Sequence, residues 1–179
     1  MTDKHDPDKR DAEIPEGARR GDGRVAALAD LSCTGYRLRK AARRVTALYD
    51  TALAPAGLTV TQFSILAMIA TGGPRPMSGL ADAMGMDAST LTRTLKRLID
   101  GGDVEIVAGS DRRTKLVALT DRGQETVAAA VPYWRAAQKR VERAMGGEIA
   151  TLHQLLRKVS AAADPEEFRA AADAPAGQG

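Results

Sequence analysis

The sequence predicts a mainly α fold with a small β-hairpin wing: a winged helix-turn-helix flanked by long helices at both ends. Three observations carry this. Apolar residues recur at helical spacing through most of residues 31–163. Two short helical stretches meet at Gly85-Met86-Asp87. Between Val104 and Leu119 the apolar period drops from about 3.6 to two, around a polar turn.

The elements follow in order. From about Leu31 to Ala54, apolar residues such as Leu38, Val45, Leu48 and Leu53 form a helical stripe, which Pro55 and Gly57 end. A second helix starts near Thr59 or Thr61, carries Phe63, Leu66 and Ile69, and stops at Gly72-Gly73-Pro74. A short helix then runs from Ser78, its expected N-cap, to Met84, with Gly85 as the left-handed residue past its end. Asp87 caps the next helix, Ala88 to about Ile99, which Gly101-Gly102 terminate. Val104, Ile106 and Ala108 make one strand, Gly109 to Lys115 the turn, and Leu116 to Leu119 the return strand. Thr120 caps a long helix that passes Trp134 towards Met145, with Pro132 expected to kink it. After Gly146-Gly147 a last helix runs from Glu148 to about Ala163.

Composition narrows the function. Of 179 residues, 44% are apolar but only 3% aromatic, so aliphatic side chains must fill the core. Residues 1–28 and 164–179 read as disordered tails around a domain at 29–163. Its core lies at about 59–120, between terminal helices at about 31–54 and 121–163. Seven acids against six bases in residues 1–24 argue against a basic arm entering a nucleic-acid groove. No apolar run reaches the ~20 residues of a membrane helix. One cysteine and two histidines exclude an internal disulfide and a zinc framework. A cytoplasmic location and no membrane partner are expected. No nucleophile triad, metal cluster or phosphate-cradling loop is present, so neither enzyme activity nor a cofactor is expected. His5 lies in the tail, and His153 has no partner at a telling spacing.

The middle of the chain carries the chemistry. Leu91, Leu95 and Leu98 form one buried stripe of the second short helix. Its other face shows Ser89, Thr90, Thr92, Arg93, Lys96 and Arg97, all donors or cations, with no acid between Asp87 and Asp100. A merely solvated face mixes signs to gain i,i+4 pairs. A face of this kind fits a major groove, hydroxyls and cations meeting base edges and phosphates. The turn Gly109-Ser110-Asp111-Arg112-Arg113-Thr114-Lys115 places three cations at the tip of the ribbon. Such a tip can set an arginine, oriented by Asp111, in a narrow minor groove. A solubilising polar turn is the bland alternative. The net charge of +3 adds little by itself.

The run from Leu80 to Gly102, followed by Ser110-Asp-Arg-Arg-Thr-Lys and Leu119-Thr-Asp-Arg-Gly, resembles the MarR family of winged helix-turn-helix transcriptional regulators. The likeness covers about Leu31 to Ala163. It implies an obligate homodimer, held by the first and last two helices, on a pseudo-palindromic double-stranded DNA operator. The family's D-x-R wing element falls on Asp111 and Arg113. One departure is Gly101-Gly102-Asp103-Val104, where the family has a more apolar approach to the wing. Apolar stripes on the terminal helices, too large for a small domain to bury alone, independently favour a dimer, with half-sites about 10 bp apart.

Two modes of regulation are open. Cys33 starts the first helix, where the helix dipole and Arg37 favour a thiolate. The resemblance extends to hydroperoxide-sensing repressors with a reactive cysteine near this point and tyrosines close by. Cys33, Tyr36 and Tyr49 are thus candidate redox-sensor residues, although the interval to Tyr49 is slightly longer than in those sensors. Packing of Cys33 in a dimer interface is the favoured alternative. The resemblance also implies a small aromatic or lipophilic effector, for which Arg43, Phe63 and Met68, with Tyr36 and Tyr49, are candidate pocket residues; plain core packing is their bland reading. The basic run Arg37, Arg39, Lys40, Arg43 and Arg44 reads as a solvated helix face, with phosphates outside the major groove as the alternative. Tyr133 and Trp134 read as dimer-interface packing rather than stacking against bases. The leading function is a homodimeric repressor released by a ligand or by oxidation. The competing one is a helical adaptor module that uses the winged fold without DNA.

Overall fold

The computed structural model describes residues 33–109, 111 and 114–163. The expected tails, His5, and the wing-tip residues Arg112 and Arg113 lie outside the described residues. The chain divides into two compact units, residues 1–44 and 45–179. Helix α1 (Thr34–Leu53) begins in the first and ends in the second. From Cys33 to Arg44 every side chain is exposed except the half-buried Leu38. Only Tyr49 and Leu53, near its far end, are buried.

In the second unit a 3-10 turn at Ala54–Ala56 closes on Gly57, whose φ of 71° suits glycine. Helix α2 (Val60–Gly72) follows with a complete capping box. Thr59 Oγ1 accepts the Gln62 N–H, and Gln62 Oε1 accepts the Thr59 N–H at 2.9 Å. Strand β1 (Arg75–Pro76) leads into α3 (Met77–Met84) and then α4 (Ala88–Asp100). Strands β2 (Val104–Ala108) and β3 (Lys115–Leu119) form the ribbon. Helix α5 (Asp121–Met145) runs on through Pro132, and α6 (Ile149–Ala162) follows a 3-10 turn at Gly146–Glu148. The three strands are antiparallel in the order β1-β3-β2, with Arg75 opposite Val117 and Val104 opposite Leu119.

The core joins α2, α3, α4 and the root of the sheet. Ile65, Leu66, Leu80, Leu91, Leu98 and Val117 are each no more than 1% exposed. Burying one such aliphatic side chain contributes roughly 1.5–3 kcal/mol, so this cluster holds the helix-turn-helix to the sheet.

Three expectations need correction. The sheet has a third strand, because the two residues of β1 pair with β3 at an edge, where proline is tolerated. Ser78 is not the N-cap: Pro76 occupies that position with extended backbone, and Ser78 lies inside the first turn. The period of two holds only at the root of the ribbon. Val104 is 2% exposed, whereas Ile106 is 42% exposed although its cross-strand neighbour Val117 is fully buried. Strand β2 is an edge strand, and only its first residue joins the core.

The departure at Gly101-Gly102-Asp103 has a structural account. Gly102 takes a φ of 77° and turns the chain out of α4. Asp103 is then buried, and its Oδ1 accepts the Thr126 hydroxyl at 2.8 Å. The Thr120 N–H donates to the Asp103 carbonyl at 3.2 Å, and the Thr120 hydroxyl donates to the Gly102 carbonyl at 2.6 Å. The base of the wing is therefore tied to the start of α5.

Candidate nucleic-acid interface

The turn between α3 and α4 is the three residues Gly85-Met86-Asp87. Gly85 is left-handed (φ 59°), and its N–H, with that of Met86, satisfies carbonyls at the end of α3. Asp87 then opens α4. Its Oδ1 accepts the Thr90 N–H at 2.8 Å and the Ser89 hydroxyl at 2.5 Å, and its Oδ2 accepts the Thr90 hydroxyl at 2.7 Å. The hydrogen bonds from the Ser89 and Thr90 side chains hold the Asp87 carboxyl well below the usual carboxylate range.

Because its folded value is depressed, the ionised cap stabilises α4 fully above the ordinary aspartate value of about 3.9. That contribution disappears as the pH falls through the depressed value. Asp87→Ala is expected to lower the melting temperature at neutral pH, with the gap to the parent closing in strong acid. Asp87→Ser should keep most of the stability. Equal melting temperatures at neutral pH would show that the cap contributes nothing.

On α4, Leu91, Leu95 and Leu98 point into the core at 1–2% exposure. Ser89, Thr92, Arg93, Lys96 and Arg97 are exposed and Thr90 is half-buried. The hydroxyls differ from expectation. The Ser89 and Thr90 hydroxyls donate their hydrogen bonds to Asp87, and the Thr92 hydroxyl donates to the Ala88 carbonyl at 2.7 Å. A hydroxyl has one proton, so in this arrangement they offer lone pairs as acceptors, not donors.

The cations also differ among themselves. Lys96 Nζ lies 2.8 Å from Asp100 Oδ2, an exposed i,i+4 pair. Arg93 reaches Thr90 Oγ1 only at 3.5 Å, and Arg97 pairs with no carboxylate among the described residues. Arg93 and Arg97, one turn apart, thus carry charge that is not neutralised within the described chain.

At the wing, the Gly109 N–H donates to the Thr114 carbonyl at 2.7 Å, and the Thr114 N–H to the Asp111 carbonyl at 2.8 Å. Asp111 and Lys115 are exposed.

The other candidate residues fall in separate places. Cys33 is exposed, and its carbonyl accepts the Arg37 N–H at 3.1 Å. Tyr36 is exposed, with Lys40 Nζ 6.0 Å from its ring centre. Both belong to the first unit, as does the exposed Arg43. Tyr49 belongs to the second; it is buried, donates to Gln138 Oε1, and burial raises its phenol above the ordinary value, with Glu142 adding to the shift. Phe63 is buried and stacks on Trp134, ring centres 5.9 Å apart. Trp134 therefore packs within its own chain, whereas Tyr133 is 41% exposed. Phe63, Ala67, Val127, Val131 and Trp134 line a groove of about 290 Å³, and Thr71 and Arg135 are also among its lining residues. Met68 is half-buried against the core and does not line that groove. The role of Trp134 and Arg135 there was not apparent from spacing, because it depends on α2 crossing α5.

His153 is exposed on α6, and among the described residues no three His, Cys, Asp or Glu side chains gather as a metal site. No single described helix is long and apolar enough to cross a membrane.

A family model described as MarR family matches residues 56–114. The chain is 33% identical over 90 residues to the Bacillus subtilis HTH-type regulator YwoH, a match that spans 66% of that protein, just under two thirds. It is 32% identical over 130 residues to the Pseudomonas putida HTH-type transcriptional repressor NicR, covering 70% of this chain and 80% of that protein. Among solved structures, the M. tuberculosis transcriptional regulator MosR is similar with a TM-score of 0.67 and 36% identity, covering 74% of this chain and 96% of that one. MosR in complex with DNA is similar with a TM-score of 0.60 and 40% identity, covering 71% and 98%.

Proposed function

Because the chain belongs to the MarR family of transcriptional regulators, we propose that it acts as a homodimeric repressor whose α4 enters the major groove of a pseudo-palindromic operator. The observation that carries this reading is α4 itself: a buried leucine stripe opposite two arginines with no carboxylate partner among the described residues. Arg93, Lys96 and Arg97 meet base edges and phosphates, while Ser89, Thr90 and Thr92 accept from base amino groups. Arg112, Arg113 and Lys115 serve the wing, with Asp111 orienting the arginines. Exposed Leu155 and Leu156 on α6 and Val45 on α1 support a second copy as the partner of the terminal helices.

Release by a small aromatic or lipophilic ligand is the regulatory reading that the groove beside Phe63 and Trp134 supports. It is apolar and open, and Arg135 is one of the residues that line it. The chain has one tryptophan, so an aromatic acid that lowers DNA affinity through this groove should quench its emission. Ala67→Trp, which fills the groove, should abolish the release while DNA binding persists. Release that survives a filled groove would place the effector elsewhere. Release by oxidation is a second reading, supported by the exposure of Cys33.

The test is titration of the full chain against DNA from just upstream of its own gene, repeated with organic hydroperoxide and in Cys33→Ser. Tight binding that peroxide abolishes only when Cys33 is present would establish the thiol switch. Tight binding indifferent to peroxide would leave the ligand. No binding to this DNA or to random genomic fragments would favour the adaptor module instead.

A further inference from the structure

The basic half of α1 has no part in the interface described above. Arg37, Arg39, Lys40, Arg43 and Arg44 fall within eight residues, and residues 31–49 contain no Asp or Glu. At 100° per residue the five cations occupy one continuous arc, and Leu38, Ala41, Ala42 and Val45 the opposite one. All five are exposed, and among the described residues none pairs with a carboxylate.

This arrangement is unfavourable for the helix alone. Arg39 and Arg43, like Lys40 and Arg44, are like charges four apart. The first turn carries no acid, and Arg37 within it also opposes the positive end of the helix dipole. A solvated face optimised for stability would intersperse acids. A face that neutralises an external polyanion would not.

We propose that this face of α1 is a second, sequence-independent phosphate-binding surface for duplex DNA. The proposal rests on the DNA-binding reading and extends it to a helix outside the helix-turn-helix and wing. Arg37, Lys40 and Arg44 lie along one line with axial steps of about 4.5 and 6 Å. Each strand of the duplex presents a charge about every 3.4 Å of axis, so flexible side chains at these steps can reach successive phosphates. The chemistry disfavours a lipid surface. Between Leu38 and Val45 the apolar arc holds only Ala41 and Ala42, too little to enter the acyl region.

The test uses the full chain and a mixed-sequence duplex of about 40 bp, with affinity measured across a salt series. The triple variant Arg37→Gln, Lys40→Gln, Arg44→Gln is expected to bind about tenfold or more weakly at physiological salt. Its log–log salt slope should flatten by about 2 to 3 for each protomer bound, and so by about 5 for a homodimer, at about 0.9 per lost phosphate contact. The Arg37→Lys, Arg44→Lys variant should keep the slope, because charge and not guanidinium geometry is at work. An unchanged slope in the triple variant, beside a lowered one in Arg93→Ala, Arg97→Ala, would overturn this proposal alone. No duplex binding by the parent would overturn it together with the DNA-binding reading. Loss of binding to anionic vesicles with duplex binding unchanged would make the face a membrane surface and overturn it as well.

Discussion

Gly123→Ala is expected to destabilise the winged unit by about 3 kcal/mol. On helix propensity alone the change should stabilise, since glycine inside a helix costs about 1 kcal/mol relative to alanine. Geometry reverses the sign. A Cβ at this position would sit 2.0 Å from the Asp103 carbonyl oxygen and 3.1 Å from Leu119 Cδ2. The oxygen belongs to backbone that cannot easily move: it accepts the Thr120 N–H, and the Asp103 side chain is held by Thr126. Relief would mean breaking the tie between the wing's base and α5, so DNA affinity should fall with stability. Gly79→Ala is the matching control. Its nearest neighbour is Pro76 Cγ at 3.5 Å, an ordinary contact, and α3 should gain rather than lose stability. Urea unfolding of the two variants checks the pair. A Gly123→Ala protein as stable as its parent would mean that the helix start and wing base can part at little cost.

This glycine shows where sequence reading reaches its limit. Gly85, Asp87 and Thr120 could be assigned from the chain because their roles are local: a left-handed turn and two caps satisfied within three residues. The leucine stripe of α4 was legible for the same reason, as a period of one helix. Gly123 also stood in the quoted motif, but its necessity depends on Asp103, twenty positions away. The outward turn of Ile106 depends on β2 being the edge of the sheet, and the strand at Arg75–Pro76 exists only because β3 lies beside it. The stacking of Trp134 on Phe63 depends on how α5 meets α2. The spacing puts the hydroxyls of α4 on one polar face as donors, but Thr90 is half-buried, and which of their atoms remain free is decided by Asp87 and Ala88. Local pattern thus picks out the candidate face, hydrogen bonds and an ion pair within four residues set which of its atoms stay free, and non-local contacts build the frame that carries it.

The same distinction orders the cations of α4 in operator binding. Arg93→Ala together with Arg97→Ala is expected to weaken operator binding by at least about 100-fold, since each lost arginine contact to a base costs about 1–3 kcal/mol and a two-fold dimer loses both copies. Neither arginine must first leave a carboxylate among the described residues. Lys96 must give up Asp100, or bring that negative charge towards the phosphates. Although the exposed pair itself stabilises little, the carboxylate cancels most of the lysine's field at the DNA. Lys96→Ala should therefore cost much less than either arginine, and Asp100→Asn should tighten binding by unmasking the lysine. Footprinting and anisotropy on one operator fragment, at two salt concentrations, separate these cases. Equal losses for Lys96→Ala and Arg93→Ala, with no gain from Asp100→Asn, would show that the ion pair opens on the DNA and that the free protein's pairing does not set the order.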